Sequence, residues 1–360
     1  MERPILAAFL SCLGPHLTDA EKRIFAHYNP LGITLFGRNI ASPTQLKDLC
    51  NSIKDVVERD DILLAVDQEG GRVRRLQGNG FFDEVSQKKL GSLPEETAQK
   101  ATQLHCQLIS EDLKRSGLNL NFAPVLDLEY DNTTEALKGR CFGSEPSKVA
   151  QLGKVMVETY MANGICPCLK HMPGHGRAQC DPHLGLPIIN ASIKELENDF
   201  YPFQRLNDAP AGMSAHIMLS EIDDKNPTTF SPLVINEIIR GVIGFQGLLI
   251  SDAIDMKALQ GSLGEKTQAS LNAGCEAVCY CAGEEDGLTE VCKNCINLSD
   301  KSLIKFAKIK NILQNKPKFK TSAEAYYTLV GKEEYNYSYD ATEVLNQMLQ
   351  KDSNKGEKNV

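Results

Sequence analysis

Eight short, largely apolar runs punctuate the chain: 4–11, 31–36, 62–66, 118–123, 165–171, 212–217, 248–251 and 277–281. Each is too short for a buried helix. Most do not alternate polar with apolar, as a strand with one wet face would. Continuous runs of this kind are what parallel strands covered on both faces require. Between them lie longer stretches with helix-start signals, Thr18-x-x-Glu21, Ser42-Pro43-x-Gln45, Ser92-x-x-Glu95 and Ser192-x-x-Glu195, all read as capping boxes. After the last, Leu196, Phe200 and Phe203 fall at helical spacing and define an inward face. Eight strand–helix units in succession predict a (β/α)8 barrel, an α/β fold of TIM type. A doubly wound sheet would carry a glycine-rich phosphate turn after its first strand. Here that turn reads Ser11-Cys12-Leu13-Gly14-Pro15-His16, without the fingerprint.

Residues 1–331 are therefore expected to form one catalytic barrel, and 332–360, which turn polar and charged, a C-terminal tail. The net charge of −8 argues against a nucleic-acid partner, because displacing phosphate counterions needs a cationic surface. No apolar run reaches the roughly 20 residues of a membrane span. The run Ile5 to Cys12 could pass for the apolar part of a signal peptide, but it lacks a cationic start and a small-residue cleavage site. It is read as the first strand, and the protein as cytoplasmic. The 12 cysteines are scattered and mostly set in apolar runs, as reduced core thiols are. Cys292 and Cys295 have metal-ligand spacing without a clear second pair, so helical spacing is the preferred reading.

In a barrel the site is built at the carboxyl ends of the strands, and five of those ends are polar here. They carry Asp67-Gln68-Glu69 with Arg72 to Arg75, Asn121 to Asp127, Lys170-His171 with His175, His216, and Ser251-Asp252. Asp252, closing a buried strand, is placed where a carboxylate nucleophile could attack carbon. His171, His175, Asp181 and His183 admit two functional readings. One is a mononuclear metal site, and with it a metal-dependent hydrolase. The other is an Asp181–His183 dyad, in which the carboxylate fixes the imidazole tautomer for proton transfer. Gly174 and Gly176 would let the intervening loop move as a flap. Asp67, Arg75, Arg140 and Lys170 suit a polyhydroxylated ligand.

Several stretches carry a family resemblance, taken together and in order: Leu35-Phe36-Gly37-Arg38-Asn39, Asp67 to Val73, Asn119 to Asp127, and Gly139-Arg140-Cys141-Phe142-Gly143. Lys170 to Gly176 with Asp181-x-His183, and Gly244-Phe245-x-Gly247 leading to Ser251-Asp252-x-x-x-Met256, complete the set. The chain resembles the single-domain bacterial β-N-acetylhexosaminidases of glycoside hydrolase family 3, the cell-wall-recycling type. The resemblance implies a retaining exo-β-N-acetylglucosaminidase acting on muropeptides, a small-molecule carbohydrate substrate, without cofactor or metal. It places Asp252 on the nucleophile, His183 on the acid/base and Asp181 on its dyad partner. Asp67, Arg75, Arg140, Lys170 and His171 fall on positions that hold the terminal N-acetylglucosamine. A phosphorylase of the same family, with phosphate in place of water, is the alternative. Two departures stand out: Pro182 where the family usually has Ser, and Ala253 where many relatives place a second acid.

Overall fold

The computed structural model describes residues 3–78, 80–316 and 322–331. The expected tail, 332–360, lies outside the described residues. Eight parallel strands close into a barrel: β1 (Leu6–Ser11), β2 (Pro30–Leu35), β3 (Leu63–Val66), β4 (Leu120–Asn121), β5 (Cys166–Met172), β6 (Ala211–Ser214), β7 (Leu248–Ala253) and β8 (Ala277–Cys279). Closure is made by β1, which pairs with β2 on one side and β8 on the other. All eight overlap the apolar runs, the fourth shrinking most. The helices that follow the strands form the outer layer, so a (β/α)8 barrel is the observed fold.

The runs are largely apolar because their two faces meet two different cores. Ala7 and Phe9, Leu63 and Ala65, Cys166 and Cys168, and Leu248 and Ile250 point into the barrel. Ala8 and Leu10, Leu64 and Val66, Leu169 and Leu249 pack against the helices. That alternation decides the site. Continued two residues past the inner core, it brings Asp67, Lys170 and Asp252 into the barrel mouth.

Helix starts follow the predicted caps at three of four places. Thr18 and Ser192 form complete capping boxes with Glu21 and Glu195. Ser42 caps Gln45, with Pro43 opening the helix. Ser92 does not cap. It ends the short helix Gln87–Ser92 and its hydroxyl donates to Lys89 O, while the next helix starts after Pro94. Leu196, Phe200 and Phe203 are buried as expected. The cysteines are free thiols, buried apart from exposed Cys180 and half-buried Cys295. Among the described residues, no helix is long and apolar enough to cross a membrane.

Candidate active site

The barrel mouth opens into a pocket of about 990 Å³, including solvent at its entrance. All eight residues singled out from the sequence, Asp67, Arg75, Arg140, Lys170, His171, Asp181, His183 and Asp252, line it.

One wall is a chain of charges. Lys170 Nζ lies 2.7 Å from Asp67 Oδ1 and 2.6 Å from Glu69 Oε1. Arg140 grips the same Glu69 with two parallel hydrogen bonds of 2.9 and 2.8 Å. Arg75 Nη2 stands 3.7 Å from Asp67 Oδ2. Burial pushes the Glu69 carboxyl up, but the Arg140 guanidinium and Lys170 ammonium outweigh it and hold it well below the usual carboxylate range. Burial likewise pulls Lys170 down, and its two carboxylates more than restore it, so the ammonium stays charged. Glu69, Arg140 and Lys170 therefore form a set of fixed charges at the base of this wall. Asn121 pins the turn carrying these groups, accepting from Gln68 N and donating to Gln68 O.

Glu69 was not foreseen as a site residue. Its signal was available, since it shares the inward parity of Asp67. Asp127 was also missed. It is buried, accepts from His171 Nδ1 at 2.7 Å and from the His175 backbone N–H at 2.7 Å, and so orients both. Burial would raise its carboxyl, but His171 and the donated hydrogen bonds lower it. A register shift in β5 between Leu169 and Met172 lets adjacent Lys170 and His171 both reach the pocket.

Asp252 accepts from the next backbone N–H, Ala253, at 2.7 Å. Burial raises its carboxyl, yet the imidazoles of His216 and His171 pull it below the ordinary value, so it stands as a carboxylate. His216, expected in the mouth, has the opposite parity and stays buried. Its ring spans Thr229 Oγ1 at 2.8 Å and Ala253 O at 2.9 Å, which steadies the backbone beside Asp252.

Across the pocket, Asp181 Oδ1 accepts from His183 Nδ1 at 2.8 Å. Burial works against the Asp181 carboxylate and the His183 hydrogen bond stabilises it, with net lowering. Gly176 is not a hinge. A Cβ there would meet Leu128 O at 2.0 Å, and its own carbonyl accepts from Thr133 Oγ1 at 2.6 Å. It is a close approach of two backbones. Pro182 O accepts from Ala258 N at 3.0 Å, tying the dyad loop to the segment after β7. His175 is buried at the pocket, neither ring nitrogen having a hydrogen-bond partner, and burial lowers it to about 4. The metal reading requires His171, His175, Asp181 and His183 to converge. Instead His171 and His183 turn to separate carboxylates. Among the described residues, no group of three or more His, Cys, Asp or Glu side chains is arranged to hold a metal ion.

A barrel with a carboxylate, a carboxylate–imidazole pair and a rim of fixed charges defines a hydrolase-type pocket for a polar ligand. The family model described as the glycosyl hydrolase family 3 N terminal domain matches residues 8–311, and the chain belongs to that family and is a glycosidase. It is 33% identical over 276 residues to a beta-hexosaminidase of Bordetella avium, covering 74% of this chain and 78% of that protein. It is 35% identical over 275 residues to a beta-hexosaminidase of Pseudomonas aeruginosa, covering 74% and 80%. NagZ from Neisseria gonorrhoeae, in complex with N-trifluoroacetyl-D-glucosamine, superposes with a TM-score of 0.79 at 28% identity, over 91% of this chain and 96% of that one. The resemblance drawn from the sequence is borne out.

Proposed function

We propose that this protein is a retaining exo-β-N-acetylglucosaminidase that releases terminal N-acetylglucosamine from muropeptides. The observation that carries the reading is one pocket lined by both Asp252 and the Asp181–His183 pair. Asp252, held as a carboxylate, attacks the anomeric carbon and forms a glycosyl-aspartate bond as the glycosidic C–O bond breaks. His183 gives its proton to the departing oxygen. It then takes a proton from the water that cleaves the intermediate, and Asp252 is released. Asp181 holds the ring so that Nε2 serves the substrate. Asp67, Arg75, Arg140, Lys170 and His171 hold the sugar hydroxyls, and the partnerless nitrogens of His175 are met by the same ligand.

The relatives' names, beta-hexosaminidase, and the amino-sugar ligand named for NagZ from Neisseria gonorrhoeae support the N-acetyl preference. The test is to assay aryl N-acetyl-β-glucosaminide beside aryl β-glucoside, with and without inorganic phosphate. Preferential hydrolysis of the first supports the reading. Equal or better cleavage of the glucoside overturns it. Formation of a sugar 1-phosphate makes the enzyme a phosphorylase. Release of N-acetylglucosamine from an anhydro-muramyl disaccharide tests the muropeptide assignment.

A further inference from the structure

Among the buried thiols, one pair is set apart. Cys279 and Cys281 share the inward parity of β8, and both line the sugar pocket, 2% and 7% exposed. Their sulfurs are 3.5 Å apart. Cys166 and Cys168 have the same spacing on β5 but are sealed beneath Lys170, with no exposure and no place in the pocket wall. We propose that the Cys279–Cys281 pair is a two-thiol binding site for a thiophilic trivalent centre, a mono-organic arsenical, and that its occupancy closes the sugar pocket.

The geometry fixes the ligand class. A tetrahedral metal needs four donors, and no set of three or more His, Cys, Asp or Glu side chains is so arranged among the described residues. A trivalent arsenical brings its own carbon as third ligand and needs only two sulfurs. Two thiols two residues apart at the end of β8, with sulfurs 3.5 Å apart and backbones already fixed, lose little freedom on bridging. The backbone is held on both sides, Cys281 N donating to Asp255 Oδ1 at 3.1 Å and Cys279 N to Ser251 Oγ at 3.0 Å. The shared hydrogen bond with Cys279, together with burial, pushes the Cys281 thiol well above the usual range, so Cys281 enters as a thiol. The exchange balances for the arsenical in its hydrated, dihydroxy form: two As–O bonds break, two As–S bonds form, each S–H proton leaves with one hydroxide as water, and arsenic stays trivalent. An aryl group so placed occupies the mouth beside Asp252. The binding stands on its own, whereas the loss of activity rests on the sugar-cleaving reading.

The test treats the reduced full-length protein with one equivalent of phenylarsine oxide. Intact mass and peptide mapping are expected to show one arsenical bridging the peptide with Cys279 and Cys281. The adduct should resist glutathione and leave with 2,3-dimercaptopropanol, and activity should fall at least tenfold and return in step. Cys281→Ser should lose the glutathione-resistant adduct, and Cys180→Ser should keep it. Without any variant, the arsenical should shield that peptide of the wild-type chain from alkylation after denaturation. An adduct that maps elsewhere, or that survives in Cys281→Ser, overturns the site. An adduct on this pair with activity intact overturns pocket closure. A protein that binds there but never cleaves N-acetylglucosaminides retains the site and refutes the proposed function instead.

Discussion

A single oxygen of Asp181 holds both the backbone and the ring of His183: Oδ1 accepts from the amide at 2.9 Å and from Nδ1 at 2.8 Å. Two bonds to one acceptor fix the imidazole against its own main chain, so the ring turns with the loop and not independently of it. If His183 is the proton donor, His183→Ala should cost activated aryl glycosides little in the glycosylation step and poor leaving groups at least a hundredfold. Comparing kcat/KM across a leaving-group series checks this. Equal losses throughout would reduce His183 to a shaping role.

Asp252→Ala should abolish turnover while leaving the melting temperature within a few degrees. A fluorinated N-acetylglucosaminyl donor should label Asp252 in the wild-type chain. Peptide mass spectrometry locates the label, and a different labelled carboxylate would reassign the nucleophile.

Glu69 neutralises two cations at once, so Glu69→Gln leaves Arg140 and Lys170 short of a buried counter-charge. A loss of about 3 kcal/mol in unfolding free energy is expected, as for a broken buried pair. KM should rise more than kcat falls if Arg140 and Lys170 hold the sugar as proposed, because Glu69 places both cations and sits beneath them. Denaturant titration and steady-state kinetics test the two halves separately.

Glu84 supplies a pH dependence. Burial, with a smaller push from Asp112, raises its carboxyl to about 8, against an ordinary 4.5. Between those values the folded protein holds a proton that the unfolded chain has released. The stability Glu84 contributes is therefore complete below the lower value and lost as pH rises through the upper one. Glu84→Gln, which is neutral at every pH, should nearly match the wild type near pH 4.5 and exceed it by about 4 kcal/mol at pH 8.5. Denaturation midpoints at the two pH values give the comparison. An unchanged difference would mean Glu84 is ionised in the fold.

The loop between β5 and the dyad should respond to ligand in its second half only. Gly176 is locked to Leu128 and Thr133, and Arg177 to Asp199. The dyad end is tied across to the β7 segment through Ala258 N and Pro182 O. Hydrogen exchange with a tight sugar inhibitor should slow residues 180–186 and leave 174–178 unaltered. Uniform protection before binding would make the whole loop a preformed wall, and uniform slowing would restore the larger flap.

Read alone, the chain determined its eight strands, because a strand buried on both faces reads as a largely apolar run too short for a helix. It determined three of the helix caps, which depend on residues three apart. It also determined the polar strand ends, and the eight residues singled out from its motifs all line the pocket. Tertiary structure decided what those residues do to one another. Glu69 meets Arg140 across 71 positions, and Asp127 meets His171 across 44. Neither spacing has a local period to betray it. His216 is as polar a strand end as Asp252, and only the count of residues from the inner core sends one to Thr229 and the other to the pocket. Ser92 failed as a cap for a related reason: a short helix already claimed it, and nothing within three residues revealed that helix. Local rules act over one turn or one pleat, whereas the site is made where closure of the barrel brings distant turns together.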